Sequence, residues 1–394
     1  MTNKPLSSLE LFSGAGGLAL GVAQAGFVHR GLIEWDRDAC ESLRTNRANV
    51  REMNDWDVHE GDVRHVSFRR FRDTVDLLSA GAPCQPFSIG GKHRGQEDQR
   101  NLFPEVFRAV REIRPRAVIV ENVKGLLRQS FRPYLDYILR QLGDPELLPR
   151  SPADWQRHSH RLARENAANR LGYSVAFQLV NAADFGVAQR RQRVFIVALR
   201  NDLGATWQGI HPTHSEDSLV YDQFVSGTYW TDHRMARRTN APRSLPKVRR
   251  LERAGRPEAT ERWLTVRDAL AGLPSPGNRA SSIDVANHVQ NPGARAYPGH
   301  TGSPWDLPAK TLKAGAHGVP GGENMLRRDD GSVRYFTVRE AARLQGFPDE
   351  YEFRGAWSEG FRQLGNAVPV PLGRAVASSV RKILLSGLQS RRIA

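Results

Sequence analysis

The chain has only two cysteines, and one of them stands where chemistry is possible. Cys84 lies in "GAPCQPFS", between Pro83 and Pro86, directly after the apolar run "VDLLSA". The prolines restrict the backbone on both sides of it. In an open parallel sheet, ligands bind beyond the carboxyl ends of the strands. A thiol at such an end can act as a nucleophile; the alternative is an inert cysteine filling the core. The segment that follows, "FSIGGKHRGQEDQR", is glycine-rich and polar, as suits a loop able to close over a substrate. Glu121 ends another apolar run in "VIVENV". A partly desolvated carboxylate there would tend to hold a proton and serve as an acid, or it could simply cap the next helix. In "QRRQRVFIVA", Arg191 and Arg193 share one parity along a strand and could face one site; phosphate contact or a solvated edge would equally place them there.

A second constellation suits a nucleoside. "LELFSGAGGLALG" reads as a strand, a glycine-rich turn and a helix start, with Gly14, Gly16 and Gly17 allowing close approach of backbone to ligand. The spacing is not the dinucleotide G-x-G-x-x-G pattern. Glu34 and Trp35 end the next strand in "IEWD", and Asp62 follows in "GDV". An acid at that strand end can bind ribose hydroxyls, and the indole offers a flat face to a base. Surface carboxylates and a core aromatic are the plainer alternative.

The elements that must position these residues are legible in outline. Strand-like runs at 7–12, 28–35, 75–80, 116–123, 173–180 and 193–199 alternate with helical stretches such as 102–113 and 134–142. That alternation predicts an α/β fold, a mostly parallel sheet covered on both faces. From about 204 to 335 the chain is rich in Pro, Gly, Arg and Ser without sustained periodicity, although Trp207, Trp230, Trp263 and Trp305 argue against full disorder. Thr337 with Glu340 predicts a capped helix start, and Thr265 opens a second one. The last helix places Leu372, Val376, Val380, Ile383, Leu384 and Leu388 on one face. The expected division is 1–203, 204–335 and a return segment 336–394.

Charge narrows the partner. Lys plus Arg number 57 against 42 acids in 394 residues, a net charge of +15. Such an excess favours a polyanion, most simply nucleic acid, though arginine-rich codon usage would also produce it. There is no apolar run long enough for a membrane span and no signal-peptide pattern. Two cysteines allow at most one disulfide, so a reducing, cytoplasmic setting with a free Cys84 is expected. No Cys/His cluster has zinc spacing, and no metal is expected.

The blocks "LFSGAGGLALG", "GAPCQPFS", "ENV", "NAADFGVAQRRQR", "REAARLQGFP" and "GNAVPVPLGRAVA" together resemble the DNA (cytosine-5) methyltransferases, of the bacterial restriction–modification type. They run in that family's order from Leu11 to about Ala377. The resemblance implies a Rossmann-like methyltransferase fold with a smaller target-recognition domain at 204–335. It implies S-adenosyl-L-methionine held by Phe12, Ser13, Gly14, Ala15, Gly16 and Gly17, with Glu34 on the ribose, Trp35 on the adenine face and Asp62 on the adenine amine. Val63, Pro83, Asn366 and Val368 would complete that pocket. It further implies Cys84 as nucleophile, Glu121 on N3 and the exocyclic amine of cytosine, Arg193 on O2, and Arg191 close by. The expected partner is double-stranded DNA, bound by a monomer associated with the nucleoid and possibly coupled to a restriction endonuclease. Arg234, Arg237, Arg238, Arg249 and Arg250 are candidate guanine or phosphate contacts. Rival readings are a tRNA cytosine-5 methyltransferase, disfavoured by the sizeable recognition tract, and a non-catalytic DNA-binding descendant, disfavoured by the intact nucleophile block. A nucleotide-dependent oxidoreductase lacks its glycine pattern.

Overall fold

The computed structural model describes residues 5–83, 101–151, 154–165, 170–237, 245–258, 260–277, 285–314 and 322–393. Seven strands form the main sheet: β1 (Leu6–Leu11), β2 (Phe27–Glu34), β3 (Val58–Glu60), β4 (Leu77–Gly81), β5 (Ala117–Val123), β6 (Tyr173–Asn181) and β7 (Gln192–Arg200). Their order is β3-β2-β1-β4-β5-β7-β6. The first five run parallel, and only β7 is antiparallel to its neighbours. The chain leaves β1 toward one edge, then returns to its other side as β4. That reversal opens a crevice beyond the carboxyl ends of β1 and β4, where ligands of open α/β sheets bind. The Phe12–Gly17 turn leaves the end of β1, and the segment leading to Cys84 leaves the end of β4.

The expected α/β architecture is present, and its cause is burial on both faces. Leu9, Leu11, Val118 and Val120 face a core shared with α3 (Phe103–Ile113) and α4 (Arg132–Gly143) through Val106, Val110, Leu135 and Ile138. These two helices follow α1 (Gly17–Gln24) and α2 (Arg37–Asn49) in the chain, and α5 (Trp155–Arg164) comes after them. The opposite face packs Leu77, Ile119, Phe195 and Val197 against Leu18 and Val22 of α1 and against the C-terminal helix Val370–Ile393. Of the apolar face read in that helix, Leu372, Val376, Val380 and Leu384 are buried and Ile383 is partly so; the Leu388 side chain lies outside the described residues. Gly17 lets the two helices meet: a Cβ there would stand 2.2 Å from the Val368 carbonyl oxygen.

Within 204–335 the structure builds short elements on shared cores. His214–Ser215 pairs with Glu261–Arg262, and Met325–Arg327 lies between Ser303–Pro304 and Val333–Tyr335. Trp207 and Ile210 join the core beneath the main sheet, whereas Val266, Leu270, Leu312 and Leu326 pack with Leu43, Met53 and Trp56 beside α2. Leu219, Tyr229, Trp230 and Trp263 form a smaller cluster. Both capping boxes exist, at Thr265 with Asp268 and at Thr337 with Glu340.

Candidate active site

The crevice has two sides. On the first, the backbone turns sharply at Phe12, whose φ of 56° is unusual for a side chain of that size. Glu34, at the end of β2, is buried, and its carboxylate gathers the turn. One oxygen accepts the Gly14 N–H at 2.6 Å, and the other accepts the N–H groups of Trp35 at 2.9 Å and Asp36 at 2.8 Å. Burial pushes this carboxyl up, and those three donors pull it back in part. Ser13 is buried and donates its backbone N–H to the Ile33 carbonyl oxygen. Ala15 is buried, and its carbonyl oxygen accepts the Tyr351 hydroxyl at 2.7 Å. A Cβ on Gly16 would strike Leu43, whereas one on Gly14 would meet nothing within 4 Å. Space is therefore open beside Gly14. Trp35 stands next to the turn with 74% of its surface exposed.

Asp62 lies just beyond β3, which pairs with β2 through Glu34 and Glu60. The Arg64 guanidinium hydrogen-bonds its carboxylate and holds its pKa down to about 2. Val63 beside it is buried. Val368 is buried against Gly17, and Asn366 is exposed at the end of the helix Trp357–Asn366. The structure thus joins Phe12–Gly17, Glu34 and Trp35 directly, sets Asp62 and Val63 at the adjacent strand end, and lays Val368 across from the turn.

On the second side, Gly81 of β4 pairs with Glu121 of β5. Asn122 donates its side-chain amide to the Ala82 carbonyl oxygen at 3.2 Å, fixing the exit from β4. Pro83, partly buried, leads out of it. Cys84 and the loop after it lie outside the described residues. Arg193 of β7 places its Nε 2.7 Å from the Glu121 carboxylate, and both side chains are about nine-tenths buried or more. Burial pushes the Glu121 carboxyl up, while the charges of Arg193 and Arg191 oppose that rise.

Arg191 and Arg193 are both buried and Gln192 between them is exposed, in keeping with the parity read from sequence. Their surroundings differ. The Arg191 guanidinium donates to three backbone carbonyls: Leu312 at 3.0 Å, Gly365 at 2.6 Å and Ala367 at 2.8 Å. It knots the arginine motif to the segment holding Asn366 and Val368. Arg193 alone of the two is ion-paired with Glu121 among the described residues.

Sequence reasoning overlooked Glu10, a fully buried acid in the middle of β1 whose carboxylate accepts the Ser79 hydroxyl. A charged residue inside "LELF" was the available signal. It overlooked Tyr351 as well, whose contact spans 336 positions and leaves no local trace. Among the arginines singled out at 204–335, Arg234 and Arg249 are exposed, Arg237 donates to the Phe224 and Val225 carbonyls, and Arg250 pairs with Asp217. Arg238 lies outside the described residues.

With this geometry in view, the family can be stated. Residues 6–145 and 164–382 match the C-5 cytosine-specific DNA methylases, and the chain belongs to that family. It is 32% identical over 382 residues to the Type II methyltransferase M.NgoMIV of Neisseria gonorrhoeae, covering 96% of this chain and 98% of that one. It is 33% identical over 402 residues to the Type II methyltransferase M.Eco47II of Escherichia coli, covering 98% and 81% respectively. Among solved structures, the Entamoeba histolytica methyltransferase EhMeth superimposes with a TM-score of 0.56 at 14% identity, covering 98% of this chain and 99% of that one. The S. pombe Dnmt2 methyltransferase gives 0.54 at 17% identity, covering 97% and 99%. At these identities the likeness concerns the fold. Among the described residues no helix is long and apolar enough to cross a membrane.

Proposed function

We propose that this chain methylates C5 of one cytosine within a short double-stranded DNA sequence, using S-adenosylmethionine, and that it acts as a monomer in the bacterial cytoplasm. The observation that carries the reading is the Glu121–Arg193 pair, buried beside the exit from β4 that leads to Cys84. The similarity to Type II methyltransferases along nearly their whole length favours a DNA target over tRNA. It also supports pairing with a restriction endonuclease whose cut the methyl group would block.

The first side of the crevice fits the methyl donor. The open space beside Gly14 admits a ligand against the backbone. A carboxylate has about four lone-pair positions, so Glu34, with three taken by N–H donors, keeps one for a ribose hydroxyl. The exposed indole of Trp35 suits an adenine face, and Asp62 stays ionised as an acceptor for its amine. Phe12 to Gly17, Val63, Pro83, Asn366 and Val368 would line the remainder. When bound, this group supplies an electrophilic methyl carbon.

The chain's residues then make the base reactive. The target must leave the duplex stack to reach both sides of the crevice. Cys84 as thiolate adds to C6, and the ring electrons shift toward N3 and C5. Glu121, whose burial favours the proton-bound form, holds a proton at N3 while Arg193 steadies O2. C5 takes the methyl group, its proton is lost, and the returning electron pair expels the Cys84 thiolate. A free thiol has a pKa of about 8.5, and the neighbouring cations Arg191 and Arg193 favour its ionised form. Residues 204–335 would choose the sequence presented.

Bisulfite sequencing of DNA from cells expressing the chain tests this directly. The expected result is protected cytosines at one short motif, absent with Cys84→Ala. Methylation of tRNA with unmodified DNA would overturn it.

A further inference from the structure

Within 204–335 the large aromatic side chains Trp207, Tyr229, Trp230 and Trp263 are each less than a tenth exposed. Tyr297 differs: it is 52% exposed. Among the described residues, the exposed large hydrophobics include just two aromatics, Trp35 and Tyr297. Trp35 borders the cofactor crevice, whereas Tyr297 has no part in the chemistry above.

Its backbone is closely fixed. The Tyr297 N–H donates to the His300 carbonyl at 3.3 Å, and the His300 N–H donates back at 2.8 Å. Between them Pro298 and Gly299 close a two-residue turn, with Gly299 at φ 83°. Proline second and a positive-φ glycine third are the residues such a turn requires. The His300 ring supports the Tyr297 ring, with centroids 4.3 Å apart and planes inclined by 32°. His300 Nδ1 in turn lies 3.5 Å from the Glu323 carboxylate. An apolar ring is thus held outward on a stiff tip.

The tip is tied to the arginine motif. Lys310 donates its side chain to Thr301 and its backbone N–H to the Ser303 hydroxyl, each at 3.0 Å. On either side of Lys310, Ala309 exchanges backbone hydrogen bonds with Ala188 and Arg190, and the Thr311 hydroxyl donates to the Arg190 carbonyl at 2.6 Å. Two residues on is Arg193, the partner of Glu121.

We propose that Tyr297 enters the duplex at the target and stacks in the gap that the extruded cytosine leaves. This rests on the base-extrusion reading above. Taking a base out of the helix forfeits its stacking on both neighbours. An aromatic ring stacks on any base, so it restores part of that loss whatever the flanking sequence. A phosphate contact needs charge and direct readout needs hydrogen-bonding groups aimed at base edges; a half-exposed ring backed by another ring suits neither as well as it suits stacking.

The test is single-turnover methylation of two duplexes carrying the motif that bisulfite mapping identifies. One has the target cytosine paired with guanine; the other has it mismatched, so that extrusion is already easy. Tyr297→Ala is expected to lower the rate on the paired duplex by about 5- to 100-fold, or about 1–3 kcal/mol at about 1.4 kcal/mol per tenfold. On the mismatched duplex most of that deficit disappears. Tyr297→Phe, which keeps the stacking face, stays within about 2-fold on both. The melting temperature and S-adenosylmethionine affinity of the alanine variant match wild type, because the side chain is largely exposed. An unchanged rate on the paired duplex, or an equal deficit on both, overturns the proposal. Failure of the wild-type protein on both duplexes would instead overturn the methyltransferase reading on which it rests.

Discussion

Arg191→Met separates two roles that the motif "QRRQR" leaves merged. Methionine keeps much of the arginine's reach and removes every donor. Three backbone carbonyls, of Leu312, Gly365 and Ala367, then lose the guanidinium that now satisfies them. A buried acceptor left without a partner costs about 1–3 kcal/mol. Three of them, with partial relaxation and shared neighbours, amount to about 3–6 kcal/mol. Against a total stability of about 5–15 kcal/mol that is a large share, and it corresponds to a fall in melting temperature of roughly 5–10 °C. Arg193→Met has a different expected profile. It removes the cation from Glu121, which can then take up a proton and so limit the cost. The assay is thermal unfolding of both variants beside wild type, followed by methyl transfer at a temperature where each is folded. Arg191→Met should melt early and recover activity in part on cooling; Arg193→Met should melt closer to wild type and stay inactive. An Arg191→Met protein that melts within about 1 °C of wild type but cannot methylate would refute the assignment of Arg191 to positioning.

Two further outcomes follow from burial and exposure. Trp35→Ala should weaken S-adenosylmethionine binding in calorimetry while leaving the melting temperature unchanged, because a residue 74% exposed holds little of the fold together; unaltered affinity would remove Trp35 from the pocket. Burial pushes the Glu10 carboxyl up to about 8, so the folded protein holds a proton there that the unfolded chain releases in the ordinary carboxylate range. Stability therefore falls as pH rises from that range toward about 8. Glu10→Gln should remove this slope and be the more stable form near the upper end, by roughly 3–5 kcal/mol at most. Parallel stability–pH curves for the two proteins would contradict the argument.

How much of this was legible in the sequence depends on how far each contact reaches. Strands β1, β2, β4, β5, β6 and β7 stand out because burial on both faces demands near-continuous apolar runs. β3 spans only Val58–Glu60, with His59 and Glu60 exposed, and its composition carries no such mark. The reversed direction of β7 was available in principle, since Ala182–Arg191 is too short for a helical crossover between parallel strands. Parity correctly grouped Arg191 with Arg193 as inward-facing. It could not show that Arg191 reaches carbonyls 121 to 176 positions away, because chain distance hides such partners. Glu34, Trp35 and Asp62 were identifiable as strand-end residues; that Glu34 gathers three N–H groups of the turn emerges only from the fold. The mechanism's nucleophile, Cys84, lies outside the described residues, so its role rests on its motif and on the geometry around Gly81 and Glu121.

That role is open to one direct measurement. The account requires a bond between Cys84 sulfur and C6 of the target base, released only when the C5 proton departs. A duplex carrying 5-fluorocytosine at the target cannot lose a proton from C5. Incubated with this protein and S-adenosylmethionine, it should yield a protein–DNA complex that survives denaturing electrophoresis, and peptide mapping should place the adduct on Cys84. No such complex should form with Cys84→Ala. A Cys84→Ala protein that still methylates DNA at the wild-type rate, or an adduct on another residue, would contradict the account.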